Sequence, residues 1–182
     1  MIRRFPSVCH YSASHTNQLK NEGGYTVKKI LLGLLIVVFI ATGVAYAQKE
    51  KQLKGSKEEA VEMVKKAVSM FKKEGRNKTF DAINDPKGDF QYKDLYIWVI
   101  DVDANGLCLA RPVFRQLIGQ ELCPFADSEG KLFMQEACEK ARTKGIGWVD
   151  YYWANPVTKR NESKSTYFEC VKNICFFCGY YK

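Results

Sequence analysis

The sequence has little of what metal-dependent and triad enzymes need. Only two of its 182 residues are histidine, His10 and His15, and both lie near the N-terminus. Histidine is the usual base of a catalytic triad and the commonest protein ligand for metals. Paired carboxylates such as Asp101 and Asp103 fall at a predicted turn, and turn formation accounts for them. We therefore expect no catalytic constellation, no metal site and no cofactor.

The sequence also lacks the concentrated positive charge that is typical of nucleic-acid-binding proteins. Its formal net charge is +8, from 28 basic and 20 acidic residues. Residues 1–47 hold five basic residues and one acidic residue, so the remainder carries a net charge of +4. Basic and acidic residues are interspersed there, as in Lys57-Glu58-Glu59, which is typical of a solvated helix face. We predict no nucleic-acid partner.

One long apolar run, residues 30–44, follows Lys28 and Lys29 and precedes Ala45-Tyr46-Ala47. This order predicts a secretory signal peptide over residues 27–47, cleaved before Gln48. The run is also near the minimum length that spans a bilayer, so an anchor to the inner membrane through residues 30–47 is the alternative. Both interpretations place the chain from residue 48 outside the cytoplasm, either in the periplasm or secreted.

Residues 1–26 fit neither a signal peptide nor a domain, because they are polar and show no apolar period. Glu22-Gly23-Gly24 can be encoded by a ribosome-binding sequence, and Val27 by an alternative bacterial start codon. We predict that translation starts at Val27 and that residues 1–26 are an untranslated leader. A long signal-peptide n-region is the alternative. A peptide from residues 1–26 in mass spectrometry of the native protein would refute our interpretation.

Six cysteines lie beyond the export signal, an even number that permits disulfides in an exported protein. They are Cys108, Cys123, Cys138, Cys170, Cys175 and Cys178, and they allow 15 full pairings. The spacing Cys175-x-x-Cys178 predicts no c-type haem, because Gly179 follows where a histidine is needed. Within a strand these two cysteines point to opposite faces, so we expect structural disulfides or buried thiols. A bond between Cys170 and Cys175 across the final hairpin is a candidate.

Hydrophobic periodicity predicts the secondary structure. Helices are predicted over residues 48–75, with Ser56-x-x-Glu59 as a capping box, and over 78–83 and 131–144. Five strands are predicted over residues 95–100, 107–110, 147–153, 163–171 and 174–181, with irregular structure over 113–127. This order predicts an α+β, PAS-like fold, in which a long N-terminal helix packs on a five-stranded antiparallel sheet.

An ordered series of short motifs runs through these elements. It includes Asp103-x-x-Gly106, Ala110-x-Pro112, Asp127-x-x-Gly130-Lys131, Gly145-x-Gly147-Trp148-Val149-Asp150-Tyr151, Trp153-x-x-Pro156 and Lys164-x-x-Tyr167. Over residues 60–180 the series resembles the single Cache family, the extracytoplasmic sensor domains of bacterial chemoreceptors and histidine kinases. The resemblance implies a Cache fold and a short organic acid, such as acetate, propionate or pyruvate, as the leading ligand. Arg111 stands where the family often has histidine, and the final strand lacks the usual glycines, so the ligand's identity stays open.

Sites for small ligands combine apolar walls with a few convergent polar groups. Strand alternation places Val149, Tyr151 and Trp153 on one face, which we predict to line the site. Arg111 can hold a carboxylate with both arms of its guanidinium. The predicted ligand-binding residues are Trp98, Arg111, Tyr151, Trp153, Lys164 and Tyr167, with Lys164 as a second positive group. The alternatives are that the aromatic residues are plain core and that Arg111 is a surface or ion-paired residue.

We therefore predict that residues 48–182 form a single Cache sensor domain that binds a small organic acid and is not an enzyme. The sequence ends directly after the last predicted strand, so signalling or chemotaxis would need a partner protein. A homodimer through the N-terminal helix is expected by analogy with related receptors. The alternatives are an exported thiol–disulfide redox protein that uses Cys175 and Cys178, and a structural envelope domain without a ligand.

Overall fold

Three α-helices are found in residues 53–182, the part of the chain that the computed structural model describes. They are α1 (Lys57–Glu74), α2 (Arg76–Asn84) and α3 (Phe133–Lys144), with a 3-10 turn at Arg115–Leu117. The start of α1 is the predicted capping box. The Ser56 hydroxyl accepts from Glu59 N at 3.2 Å, and the Glu59 carboxylate accepts from Ser56 N at 2.7 Å. These bonds satisfy two amides that a helix start leaves unpaired.

Six strands form one antiparallel sheet in this part of the chain. They are β1 (Gln91–Tyr92), β2 (Leu95–Asp101), β3 (Leu107–Ala110), β4 (Ile146–Ala154), β5 (Asn161–Val171) and β6 (Ile174–Tyr181). The order is β1-β2-β6-β5-β4, and β3 pairs with β2 as well. The predicted α+β fold and its five strands are confirmed, and the two-residue β1 is an addition. The predicted leader and export signal lie outside the described residues.

The sheet separates two cores. We call the side under α1 and α2 the helix face; its buried residues include Val64, Ile97 and Phe176. We call the other side the cavity face. It is covered by α3 and by residues 111–132, which we call the cover loop. None of the helices in residues 53–182 has the length and apolar character needed to cross a bilayer.

The outer edge of β4 is occupied by side chains. Lys140 Nζ donates to Trp148 O at 2.9 Å, and Lys131 Nζ donates to Asp150 O at 2.5 Å. The Asp127 carboxylate accepts from Tyr152 N at 3.0 Å. Unpaired groups on an edge strand invite pairing with other chains, and these bonds block it. The bonds made by Lys131 and Asp127 also fasten the cover loop to β4, and this attachment places the loop over the cavity face.

Candidate functional site

A small cavity lies between the sheet and its cover on the cavity face. It has a volume of about 20 Å³, which is enough for about one water molecule. Its walls come from β2, β4, the cover loop and the first turn of α3. The lining residues are Tyr96, Trp98, Arg111, Leu117, Leu122, Phe125, Phe133, Met134, Tyr151 and Trp153. Arg111 is the charged member of an otherwise aromatic and aliphatic lining.

Arg111 is held in this cavity by hydrogen bonds from its backbone amide and from Nε of its side chain. Its amide donates to Asn84 Oδ1 at 2.9 Å, and its Nε donates to Val113 O at 2.6 Å. The guanidinium carbon lies between 5.6 and 6.0 Å from the ring centroids of Tyr96, Trp98 and Phe114. The residue is only 3% exposed, and in residues 53–182 no carboxylate forms an ion pair with it.

Phe114, in the cover loop beside Arg111, has a left-handed backbone conformation with φ of 55°. This region is unfavourable for a bulky residue without a special local reason. Its ring makes edge contacts with Tyr96 at 6.2 Å and Trp153 at 6.1 Å. Because such strained residues concentrate at ligand sites and switches, the position of Phe114 supports a functional role for this part of the cover loop.

Lys164 supplies a second buried positive charge on the same face. It is opposite Tyr151 in the β4–β5 pair and opposite Tyr181 in the β5–β6 pair. Its side chain is fully buried, and its ammonium lies 4.1 Å from the ring centroid of Tyr96 and 4.5 Å from that of Tyr181. Nζ donates to the Tyr181 hydroxyl at 3.3 Å. No carboxylate in the described residues pairs with it within 4.0 Å.

Gly179 makes room for the Lys164 side chain. A Cβ at residue 179 would lie 2.4 Å from Lys164 Cε and 2.1 Å from Thr166 Oγ1. Any other residue would push Lys164 away from Tyr96, since both distances are far below van der Waals contact. The glycine therefore lets Lys164 lie flat across β6, toward the wall of the cavity.

Two tyrosine hydroxyls close to Lys164 are uncharged at neutral pH. Burial raises the pKa of Tyr151 and of Tyr181 well above the ordinary value, so both stay protonated. The Tyr151 hydroxyl hydrogen-bonds with Thr166 Oγ1 at 2.9 Å, and the Tyr181 hydroxyl donates to Ala154 O at 2.8 Å. The groups that contact the Lys164 ammonium are thus neutral, and the buried Asp94 carboxyl acts on it only through a longer-range electrostatic interaction.

The structure brings together five of the six residues predicted for the site. Trp98, Arg111, Tyr151 and Trp153 line the cavity, and Lys164 is on the same face beyond Tyr96. Tyr167 is not brought to this group. It is opposite Trp148 and packs with the helix-face core, because residues three positions apart on a strand point to opposite faces. Its hydroxyl donates to the Glu169 carboxylate at 2.5 Å.

Sequence reasoning missed several residues around the cavity. Tyr96 separates the two cations, and the Phe133 ring stacks on Tyr151 at 3.9 Å between centroids. Tyr96 could have been found, since it alternates with Trp98 on β2. Phe133, Leu122 and Phe125 gave no such signal, because their positions depend on how the cover loop folds.

The cysteines form two disulfides, Cys123–Cys138 and Cys170–Cys175. The candidate pair Cys170–Cys175 is present in the structure, across the β5–β6 hairpin. Cys178 is a buried thiol on the helix face, near Met63, and burial raises its pKa to about 12. Because Cys175 pairs with Cys170, the Cys175–Cys178 pair that a thiol–disulfide enzyme would use is not formed. The described residues contain one further free thiol, Cys108, which is buried beside Arg111.

Comparisons with known proteins identify the family and the fold. The family model of Single Cache domain 2 matches residues 35–174. Among solved structures, the periplasmic sensor domain of a chemotaxis protein is 24% identical, with a TM-score of 0.53, over 75% of this chain and 96% of that chain. A methyl-accepting chemotaxis protein from Vibrio parahaemolyticus is 17% identical, with a TM-score of 0.56, over 79% and 95%.

A third solved structure was described for carboxylic acid recognition by a Cache chemosensory domain. It is 18% identical, with a TM-score of 0.53, over 77% of this chain and 97% of that chain. At these identities the likeness shows a shared fold. No curated protein matches the chain significantly.

Proposed function

The chain belongs to the Single Cache domain 2 family of extracytoplasmic sensor domains, and from that premise we propose that it binds a short-chain carboxylate beside Arg111. The carboxylate would accept two parallel hydrogen bonds from the guanidinium, while the hydrocarbon part of the ligand would contact Trp98, Tyr151 and Trp153. Bonds of this kind between two charged groups are among the strongest in proteins.

The observation that carries the proposal is the unpaired charge of Arg111. A buried charge is costly unless it is paired, and those that persist in native proteins usually have a partner. Arg111 is 3% exposed, faces aromatic rings and has no carboxylate partner in the described residues. A bound anion would supply the missing negative charge. Lys164, also buried and without a carboxylate of the described residues within 4.0 Å, adds a second positive charge to the same region.

The size of the cavity favours a small ligand. The cavity of about 20 Å³ holds about one water molecule, so even acetate requires the cover to move outward. The cover loop is the element that can do so, since its outer contacts with β4 are exposed hydrogen bonds. The solved Cache structure described for carboxylic acid recognition supports the ligand class.

The biological setting follows from the family. Cache domains are extracytoplasmic, and the two disulfides fit an oxidising compartment. In this proposal the domain works in the periplasm or at the outer side of the inner membrane and passes its bound state to a signalling partner protein. A homodimer through α1 stays a prediction.

The test is calorimetric titration of the chain and of Arg111→Met with acetate, propionate and pyruvate. We expect the parent to bind at least one acid and Arg111→Met to bind it at least about tenfold more weakly, because a charge-assisted bond contributes about 1.5–3 kcal/mol. The matched control is Arg76→Met, since Arg76 is exposed on α2 over the Phe80 ring; its affinity should equal the parent's.

Two results would contradict the proposal. One is a folded parent that binds none of the acids and gains no thermal stability from them. The other is Arg111→Met binding with the parent's affinity, which would show that the ligand lies elsewhere. Thermal unfolding of each variant without ligand checks that a lost affinity is not a lost fold.

A further inference from the structure

The cover of the cavity contains a disulfide that joins its two halves. Cys123 is in the cover loop and Cys138 is in α3, with a sequence separation of 15 and 6.1 Å between their Cα atoms. The ring closed by this bond contains Phe125, Phe133 and Met134, which line the cavity. The bond therefore limits how far the wall from the loop can separate from the wall from α3.

Other contacts hold the two sides of this ring unequally. At the start of the ring, Leu122 N donates to Gly106 O at 3.1 Å and Cys123 N donates to Asn105 O at 3.2 Å. This end of the ring is therefore tied to the β2–β3 turn. Within the ring, the loop is fastened to β4 by exposed polar bonds, including Tyr152 N to Asp127 at 3.0 Å and Lys131 Nζ to Asp150 O. Exposed bonds exchange readily with water, so they restrain the loop weakly.

We propose that the Cys123–Cys138 disulfide sets the size of ligand that the cavity accepts. The inference rests on the carboxylate-binding function proposed above. While the bond is intact, the cover opens only enough for a short acid, and its walls are already ordered for that ligand. When the bond is broken, the cover opens at less cost, so a longer acid gains affinity, while a short acid loses affinity because it must order a looser wall.

The redox step is an ordinary thiol–disulfide exchange. A dithiol reductant gives two electrons and two protons, the bond between Cys123 and Cys138 breaks into two thiols, and the reductant becomes a disulfide. The second disulfide, Cys170–Cys175, is an internal control. It is in the β5–β6 hairpin, and neither cysteine lines the cavity.

The first experiment compares acetate with butyrate by calorimetry on the parent, on the double variant Cys123→Ser with Cys138→Ser, and on the control Cys170→Ser with Cys175→Ser. We expect the ratio of the butyrate Kd to the acetate Kd to fall at least about fivefold in the first double variant, the lower end of usual coupling between sites. The control should keep the parent's ratio. An unchanged ratio in a folded Cys123→Ser, Cys138→Ser protein would overturn the inference.

The second experiment uses the native chain and does not depend on a variant that folds. Linkage requires that a ligand which prefers the oxidised form makes the disulfide harder to reduce. We expect saturating acetate to lower the midpoint potential of Cys123–Cys138, by about 30 mV for a tenfold difference in affinity, and to leave Cys170–Cys175 unchanged. An equal shift at both bonds, or none at either, would contradict the role.

Failure of the inference and failure of the proposed function are distinguishable. If the parent binds neither acid, the carboxylate function fails and the inference fails with it. If the parent binds acetate and Arg111→Met does not, while the disulfide changes neither the ratio nor the potential, only the inference fails.

Discussion

The two faces of the same sheet bury different kinds of side chain. The helix face meets α1 through side chains without charge, among them Val64, Ala67, Ile97 and Phe176, all with no exposed surface. The cavity face buries Arg111 and Lys164 with their charges unpaired by any carboxylate of the described residues. Apolar burial contributes about 25 cal/mol per Å², whereas a buried charge costs free energy.

This difference separates the face that stabilises the fold from the face that we propose as the ligand-binding side. A fold that only had to be stable would gain by replacing both cations with apolar residues of similar size, because a buried charge without an ion-pair partner costs free energy. The cavity face retains both cations, and apolar burial on the helix face offsets what they cost in stability. Substitutions on the helix face should therefore change stability alone, and those on the cavity face should change stability and binding separately.

The largest expected effect comes from a pair of neighbours on β6, Phe176 and Phe177. Both are fully buried, but Phe176 meets Phe71 of α1 on the helix face, and Phe177 stacks on Trp98 at 4.2 Å on the cavity face. Each change to alanine should lower the free energy of unfolding by about 3–5 kcal/mol, measured in urea. Only Phe177→Ala should also weaken acetate binding, because Trp98 lines the cavity. Equal effects on acetate affinity would remove the distinction between the faces.

Lys164→Met should change the free energy of unfolding in the opposite direction, making the ligand-free domain more stable. It replaces a fully buried ammonium, which has one hydrogen bond to the Tyr181 hydroxyl, by an apolar chain of similar length. Removing a buried ammonium that has no ion-pair partner within 4.0 Å in the described residues should raise the stability of the ligand-free domain by about 1–3 kcal/mol and weaken anion binding. The matched control is Lys65→Met on the exposed side of α1, where we expect a change within about 0.5 kcal/mol. A loss of stability in Lys164→Met would show that this lysine belongs to the fold.

The helix face could be predicted closely from the sequence, and the cavity face only in part. Helical spacing and the capping box at Ser56 fixed α1, because these signals are local. Alternation along β4 placed Tyr151 and Trp153 together for the same reason. Arg111 was found through its chemistry and its place beside Pro112.

The parts that could not be predicted depend on contacts between distant segments. The position of Phe133 against Tyr151 requires α3 and the cover loop to be folded first. The Cys123–Cys138 bond had no local signal, whereas Cys170–Cys175 did, because a hairpin brings its two strands into register. Tyr167 was assigned by its nearness to Lys164 in sequence, although a spacing of three reverses the face of a strand.

The smallest expected effect concerns a carboxyl beside Lys164. Asp94 is buried at the start of β2, where it accepts from Gly55 N at 2.7 Å and from Asn155 Nδ2 at 3.3 Å. Burial raises its pKa above the ordinary value in spite of these hydrogen bonds. A raised pKa means that Asp94 holds its proton more tightly in the folded state than in the unfolded state. Its stabilising contribution is present below the unfolded pKa of about 3.9 and is lost as pH rises through the folded pKa.

Asp94→Asn imitates the protonated form and keeps an oxygen for Gly55 N, so it should escape that loss. The stability of Asp94→Asn relative to the parent should therefore rise between pH 4 and 7, measured by urea unfolding at each pH. Asp150→Asn should behave in the opposite way, since a hydrogen bond from Ser165 and then the Lys182 ammonium lower the pKa of Asp150. Its contribution is present above the unfolded pKa and disappears as pH falls. If both variants shift with the same sign, burial does not govern Asp94, and the cavity face is more open to water than its geometry indicates.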